Sequence, residues 1–245
     1  MKISPKYTNV SCKICDGNTS VLGVCDFNKS CEGDKVKNKL PPIGYAVYYH
    51  QCNNCKFIFT VDFDDWSVDD YLENIYNDEY TIVDPEYTEV RPKNLVNWFL
   101  PLLGGNKDIS VLDYGAGSAV FGKELSKLGW KCESWDPMWK QDPTFDKGTT
   151  FDVVTAFEVL EHTPSPYETA KEIINFVDQE SGQLVIQTLS NDIIGTEGLN
   201  YWYIAPRNGH VCMHSNRSLD IMFDKLGMTV DHLAPNTHVA SWKDE

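Results

Sequence analysis

From residue 94 onward the apolar positions change period repeatedly. Leu95, Trp98, Phe99 and Leu102 recur at helical spacing and Gly104-Gly105 ends that pattern, so a helix is expected over 94–103. Residues 109–114 read as a strand, 119–128 as a helix closed by Gly129, and 131–135 as a strand running into Asp136-Pro137. A strand over 151–156, a helix over 167–177 and a strand over 183–189 follow. A helix over 218–226 with Gly227 behind it, then strands over 228–233 and 238–242, complete the series. Strands alternating with helices predict an α/β fold with a mostly parallel sheet and helices on both faces. Upstream the texture differs. Residues 1–62 are Cys-rich with few helical patterns, and 63–93 are acidic and aromatic, so the chain divides into 1–62, a connecting helical segment 63–93, and 94–245.

The first strand of the alternating region ends in Val111-Leu112-Asp113-Tyr114-Gly115-Ala116-Gly117. A carboxylate followed by a glycine turn lets backbone approach a ligand closely at the carboxyl end of a strand. Asp136 ends the next strand, 23 residues after Asp113, where one βαβ step places a carboxylate able to accept both hydroxyls of a ribose. A dinucleotide fingerprint would want a third glycine at 120, and this chain has Val120. Asp113 would also repel a pyrophosphate. It would welcome an ammonium or sulfonium, so the charge pattern favours a nucleoside carrying a cationic amino acid over NAD.

These residues, together with Phe151-Asp152-Val153-Val154-Thr155-Ala156-Phe157-Glu158-Val159-Leu160-Glu161-His162, resemble the successive strand-end motifs of class I S-adenosylmethionine-dependent methyltransferases. The resemblance covers about residues 94 to 242 and implies a Rossmann-like catalytic domain over 94–245. It implies that Asp113, Gly115 and Gly117 line the methionine part of the cofactor and that Asp136, followed by Pro137, holds the ribose. Phe157 and Glu158 would lie beside the bound cofactor, with His162 at the mouth of the site. Two departures stand out. Ser118-Ala119 replaces the third motif glycine, and the stretch 138–150 is short, leaving Asp142 and Asp146 as the candidates for an adenine contact.

Composition adds a second chemistry. Six of the eight cysteines lie in the first 55 residues, and Cys12-Lys-Ile-Cys15 and Cys52-Asn-Asn-Cys55 form two Cys-x-x-Cys knuckles. Two knuckles supply four thiolates to one tetrahedral ion with no open position, so 1–62 is expected to be a small domain around a structural zinc. Cys25 and Cys31 read as core or surface thiols. The net charge of −15 disfavours nucleic acid as substrate, and the nearest basic cluster is Lys35, Lys37 and Lys39. No long apolar run suggests a membrane span, and the opening residues lack the apolar core of a signal peptide, so a cytoplasmic protein is expected.

The whole arrangement also resembles bacterial methyltransferases with an N-terminal zinc-binding domain, which implies acceptors such as sugars, nucleotide-linked sugars and surface-polysaccharide precursors. Methyl transfer to oxygen needs alignment and often a base. His162 follows the fourth expected strand, and His210 and His214 lie in an aromatic segment after the fifth, so His162 or His210 is the expected base. Arg207 is expected to orient an anionic acceptor. A phosphoryl-containing precursor or small phosphorylated metabolite as acceptor, methylation at carbon or nitrogen of a deoxy- or aminosugar, and a non-catalytic zinc-stabilised binding protein remain open alternatives.

Overall fold

The computed structural model describes residues 10–31, 40–139, 142–194 and 197–244. Lys35, Lys37 and Lys39, and most of the N-terminal stretch read for a signal, lie outside the described residues. Two sheets organise the chain. The smaller is built from β1 (Thr19–Asp26), β2 (Ala46–Cys52), β3 (Ile58–Thr60) and, from far along the chain, β8 (Cys212–Met213). All its pairings are antiparallel, and the last joins Ile58 to Met213 and Phe59 to Cys212. Between the sheets run α1 (Val68–Asn74), α2 (Tyr80–Val83) and α3 (Val90–Phe99), the last tightening into a 3-10 turn over Leu100–Leu103. The helix expected over 94–103 therefore starts earlier. α1 begins where Ser67 and Asp70 form a reciprocal cap.

The larger sheet has six strands in the order β5-β4-β6-β7-β10-β9. They are β4 (Ser110–Tyr114), β5 (Lys131–Trp135), β6 (Val153–Phe157), β7 (Gln183–Gln187), β9 (Met228–Ala234) and β10 (Thr237–Trp242). β4, β5, β6 and β7 are mutually parallel, whereas β10 runs antiparallel to both β7 and β9. The hairpin between β9 and β10 turns in a few residues, too few for a crossover, so the final pair has to be antiparallel. Three helices complete the layers: α4 (Val120–Lys127), α5 (Pro166–Ile174) and α6 (Asn216–Lys225).

Alternation along the strands decides which helix goes where. Val111, Phe157 and Val185 pack with Val96 and Phe99 of α3 and Phe121 and Leu125 of α4. Leu112, Tyr114, Val154, Ala156, Leu184 and Ile186 point to the other face, against Ala170 and Ile173 of α5 and Leu219, Met222 and Phe223 of α6. Cys12, Cys52, Cys55 and Phe57 belong to that second layer too, so the knuckles sit in the same apolar core as the large sheet. α4 lies close over β5, because a Cβ on Gly122 would come within 2.0 Å of Ser134 Oγ. Among the described residues no helix is long and apolar enough to cross a membrane.

Candidate active site and cysteine centre

Strand order reverses about β4: the chain moves from β4 to β5 on one side, then returns to β6 on the other. Such a switch opens a crevice at the carboxyl ends of the strands. A cavity of about 410 Å³ occupies it, floored by the loops after β4, β5 and β6. Asp113, Gly115, Gly117, Asp136, Pro137, Phe157, Glu158 and His162 all line it. Gly115 (φ 72°) and Gly117 (φ 50°) have left-handed backbone, and a Cβ on Gly115 would meet Val159 Cγ2 at 2.5 Å. Asp136 ties the loops together: its carboxylate accepts from the backbone N–H of Gly117 and of Met138, each at 2.9 Å. Ala119, at the position where the resemblance led one to expect glycine nearby, adopts φ 55° without the freedom glycine would bring.

The floor is acidic. Asp113 is buried, and burial, helped by the negative charge of Asp136, pushes its carboxyl up to about 7. Burial also raises the carboxyls of Asp136 and Glu158. Among the described lining residues Arg91 is the one cation, and it is engaged by Asp84 through two hydrogen bonds of 2.8 and 2.9 Å. The composition of 63–93 announced aromatics but assigned them no place. The structure folds that segment over the crevice, so that Trp66, Tyr71, Tyr76, Tyr80 and Tyr87 face the floor. Asp142 and Asp146 do not line the cavity.

The three residues expected to act on the acceptor separate. His162 lines the cavity, where its Nδ1 lies 3.1 Å from the Tyr76 hydroxyl. Burial, then the neighbouring His210, hold its pKa well below the usual imidazole value, so it is neutral. His210 sits behind it, ring centroids 4.8 Å apart, and Nδ1 donates to the Tyr203 carbonyl at 2.7 Å. Burial lowers its pKa to about 4. Arg207 is not at the cavity. It is 2% exposed, and its guanidinium donates to the Ile75 carbonyl at 2.8 Å and to Asn77 Oδ1 at 3.0 Å. A buried guanidinium must spend its donors on such partners, so Arg207 braces the segment after α1 and presents nothing to an acceptor. His214 is likewise buried, its ring 4.8 Å from that of Phe57.

The four knuckle cysteines come together, their sulfurs all within 4.8 Å of one another. Sγ of Cys12 and Cys55, and of Cys15 and Cys52, are 3.5 Å apart. Each knuckle closes by the same device. Asp16 and Lys56, the residues after the second cysteine of each pair, have left-handed backbone and donate to the carbonyls of Cys12 and Cys52 at 3.0 and 3.1 Å. Ile14 and Cys55 N–H groups point at Cys12 and Cys52 Sγ, both at 3.4 Å. The Cys12–Cys55 contact pushes the Cys12 thiol down to about 5 and the Cys55 thiol up, as two sulfurs sharing one proton do, while burial raises Cys52. Tetrahedral zinc places sulfurs roughly 3.8 Å apart, so this donor set fits a thiolate-bound divalent ion. Cys25 and Cys31 are raised by burial and take no part.

A family profile described as "Methyltransferase domain" matches residues 87–233. No curated protein matches the sequence. Among solved structures, the chain is similar to magnesium protoporphyrin IX methyltransferase from Synechocystis PCC 6803 with bound SAH, at 16% identity and TM-score 0.44 over 74% of this chain and 97% of that one. A further similar structure is an O-methyltransferase from Nostoc punctiforme PCC 73102, at 15% identity and TM-score 0.44 over 60% and 55% of the two chains. The pyocyanin biosynthetic protein PhzM is another, at 13% identity and TM-score 0.45 over 72% and 62%.

Proposed function

Because the chain belongs to the methyltransferase-domain family, we propose that it transfers the methyl group of S-adenosylmethionine to an oxygen atom of a small acceptor, and that the four knuckle cysteines hold a structural zinc. The observation that carries this reading is the floor of the cavity, where Asp113, the Gly115–Gly117 turn and Asp136 stand at the carboxyl ends of β4 and β5, with no cation free for a pyrophosphate among the described lining residues. Asp113, Gly115 and Gly117 receive the methionine part, whose ammonium compensates the buried carboxylate. Asp136 takes the ribose hydroxyls, Pro137 follows it, and Phe157 and Glu158 flank the nucleoside.

His162 serves the acceptor. Its neutral imidazole is the form that can take a proton, and the Tyr76 hydroxyl steadies it. The roof of aromatic faces suits a sugar ring, of the kind found in surface-polysaccharide precursors. A phosphoryl-bearing reaction centre fits poorly, since Arg91 is already satisfied by Asp84. The same acidity gives an amine nitrogen, as in an aminosugar, a specific claim as the alternative methylated atom. Calorimetric titration with S-adenosylhomocysteine tests the core of the reading. Wild type should bind one equivalent and NADH none, with binding weakened at least 100-fold in Asp136→Ala. Failure to bind the nucleoside, or binding indifferent to Asp136, overturns it.

A further inference from the structure

Behind the roof lies a second set of ligating side chains. A ring nitrogen of His162, a ring nitrogen of His210 and a carboxylate oxygen of Glu158 lie within 4.8 Å of one another. Glu158, in the loop after β6, and His162, in the turn Leu160–His162, are four residues apart, and His210 joins them from the loop before β8. Glu158 reaches the set through a left-handed backbone (φ 54°). A glutamate gains nothing locally from that conformation.

Both imidazoles are held in a way that frees one nitrogen. His210 Nδ1 donates to the Tyr203 carbonyl at 2.7 Å. The His162 ring bonds the Gly209 backbone, and its Nδ1 lies 3.1 Å from the Tyr76 hydroxyl. Gly209 makes that approach possible, since a Cβ there would stand 3.0 Å from His162 Nδ1 and 3.1 Å from the Tyr76 oxygen. Each imidazole thus has its Nδ1 engaged with an oxygen. Imidazoles that ligate metals are oriented in this manner, with Nδ1–H given to an oxygen and the Nε2 lone pair left for the ion.

We infer that Glu158, His162 and His210 form a second metal site, for a borderline divalent ion, at the acceptor end of the cavity. Two imidazoles and one carboxylate suit zinc, manganese, iron(II) or cobalt(II), and three ligands leave positions open for an incoming oxygen. Ligand atoms on one such ion span roughly 3 to 4.2 Å, so small side-chain rotations close the set. Cys31 Sγ, 3.7 Å from His210 Nδ1, faces the nitrogen already given to the Tyr203 carbonyl and lies outside the set. Arg91, the cation nearest Glu158, is offset by its pairing with Asp84. This inference rests on the proposed reading of the cavity and changes two roles in it: Glu158 and His162 become ligands that help present the acceptor oxygen to the ion, which lowers the oxygen's pKa.

The test is a cobalt(II) titration of the full-length, zinc-loaded protein, followed by metal analysis after gel filtration. Wild type should retain one cobalt beside one zinc, with d–d absorption and no thiolate-to-cobalt charge transfer. His162→Ala and His210→Ala should each lose the cobalt and keep the zinc. Two variants are used so that a folding defect in one, seen in its thermal midpoint, leaves the other to decide. No second ion in wild type, a second ion retained by the folded variants, or cobalt showing thiolate charge transfer each overturns the site. A parallel titration of wild type with S-adenosylhomocysteine separates the two claims. Nucleoside binding without cobalt defeats the metal site alone, and cobalt without nucleoside defeats the transfer reading.

Discussion

The floor and the roof of the cavity are made by different means. The floor comes from three consecutive strand ends, β4, β5 and β6, whose loops converge because neighbouring parallel strands end at the same edge. The roof comes from 63–93, a stretch of short helices whose aromatic side chains pack with Val47, Tyr49 and Ile58 of the smaller sheet rather than standing at strand ends. A floor residue is fixed by hydrogen bonds within the loops, as Asp136 is by Gly117 and Met138. A roof residue is fixed chiefly by ring contacts, as Tyr80 is tilted against Tyr76 and edge-on to Tyr87, each at 5.0 Å between centroids, with one hydrogen bond from its hydroxyl to the Asn208 carbonyl. Binding of the nucleoside should therefore answer to the floor, and choice of acceptor to the roof.

The largest expected effect breaks the floor. Gly115→Ala would drive a methyl into Val159 at a left-handed position, and nucleoside affinity should fall at least about 100-fold in a calorimetric titration. If affinity holds, the turn is not where the ligand lies.

Asp113 gives the next effect, as a pH dependence. Its carboxyl is pushed up to about 7 in the folded, ligand-free protein, above the unfolded value of 3.8. The folded state thus keeps a proton the unfolded chain releases, and stability falls as pH rises from about 4 to about 7. The shift of about 3 units sets an upper bound of roughly 4 kcal/mol. Denaturant melts of Asp113→Asn should lack this slope, so the variant gains on wild type across that window. A ligand ammonium needs the ionised form, so wild-type affinity should weaken about tenfold per unit below pH 7. A flat affinity profile would separate Asp113 from the ligand.

Gly122→Ala pushes a Cβ to 2.0 Å from Ser134 Oγ, and should cost about 1–3 kcal/mol of stability as α4 is lifted from β5. Ala119→Gly works the other way. It relieves a left-handed alanine and should raise stability by about 1 kcal/mol in the same melts. The smallest effect on the nucleoside belongs to the roof. Tyr76→Phe removes a hydroxyl from His162 and keeps the ring, so S-adenosylhomocysteine affinity should stay within about twofold while turnover on the acceptor drops. An affinity loss comparable to that of Gly115→Ala would erase the distinction between floor and roof.

The same distinction explains what could be read from the chain. β5 was expected over 131–135 and lies there, and β4, α4, β7 and α6 fall within a residue or two of their expected bounds, because each has its own period and a glycine or a carboxylate at its end. All the expected floor residues line the cavity for that reason. β8 was invisible. Two residues carry no period, and their pairing with β3 spans the length of the chain. The three strands of 1–60 were likewise masked by their cysteines and polar turns. Nothing in the acidic and aromatic pattern of 63–93 singled out Arg91, whose hold on Asp84 appears only once the segment is folded. Arg207 misled because an arginine in an aromatic, histidine-rich loop looks the same in sequence whether it faces a ligand or a set of buried carbonyls.

The pairing of β3 with β8 also bears on how the protein is made. A ribosome delivers the two knuckles early, yet the sheet that holds them is complete only when Cys212 and Met213 have emerged. Until then the free edge of β3, with Phe57 and Phe59 beside it, is an exposed apolar strand during translation. Nascent chains halted before residue 212 should be the ones that need a chaperone, and early arrival of the ion at the knuckles would shorten that wait.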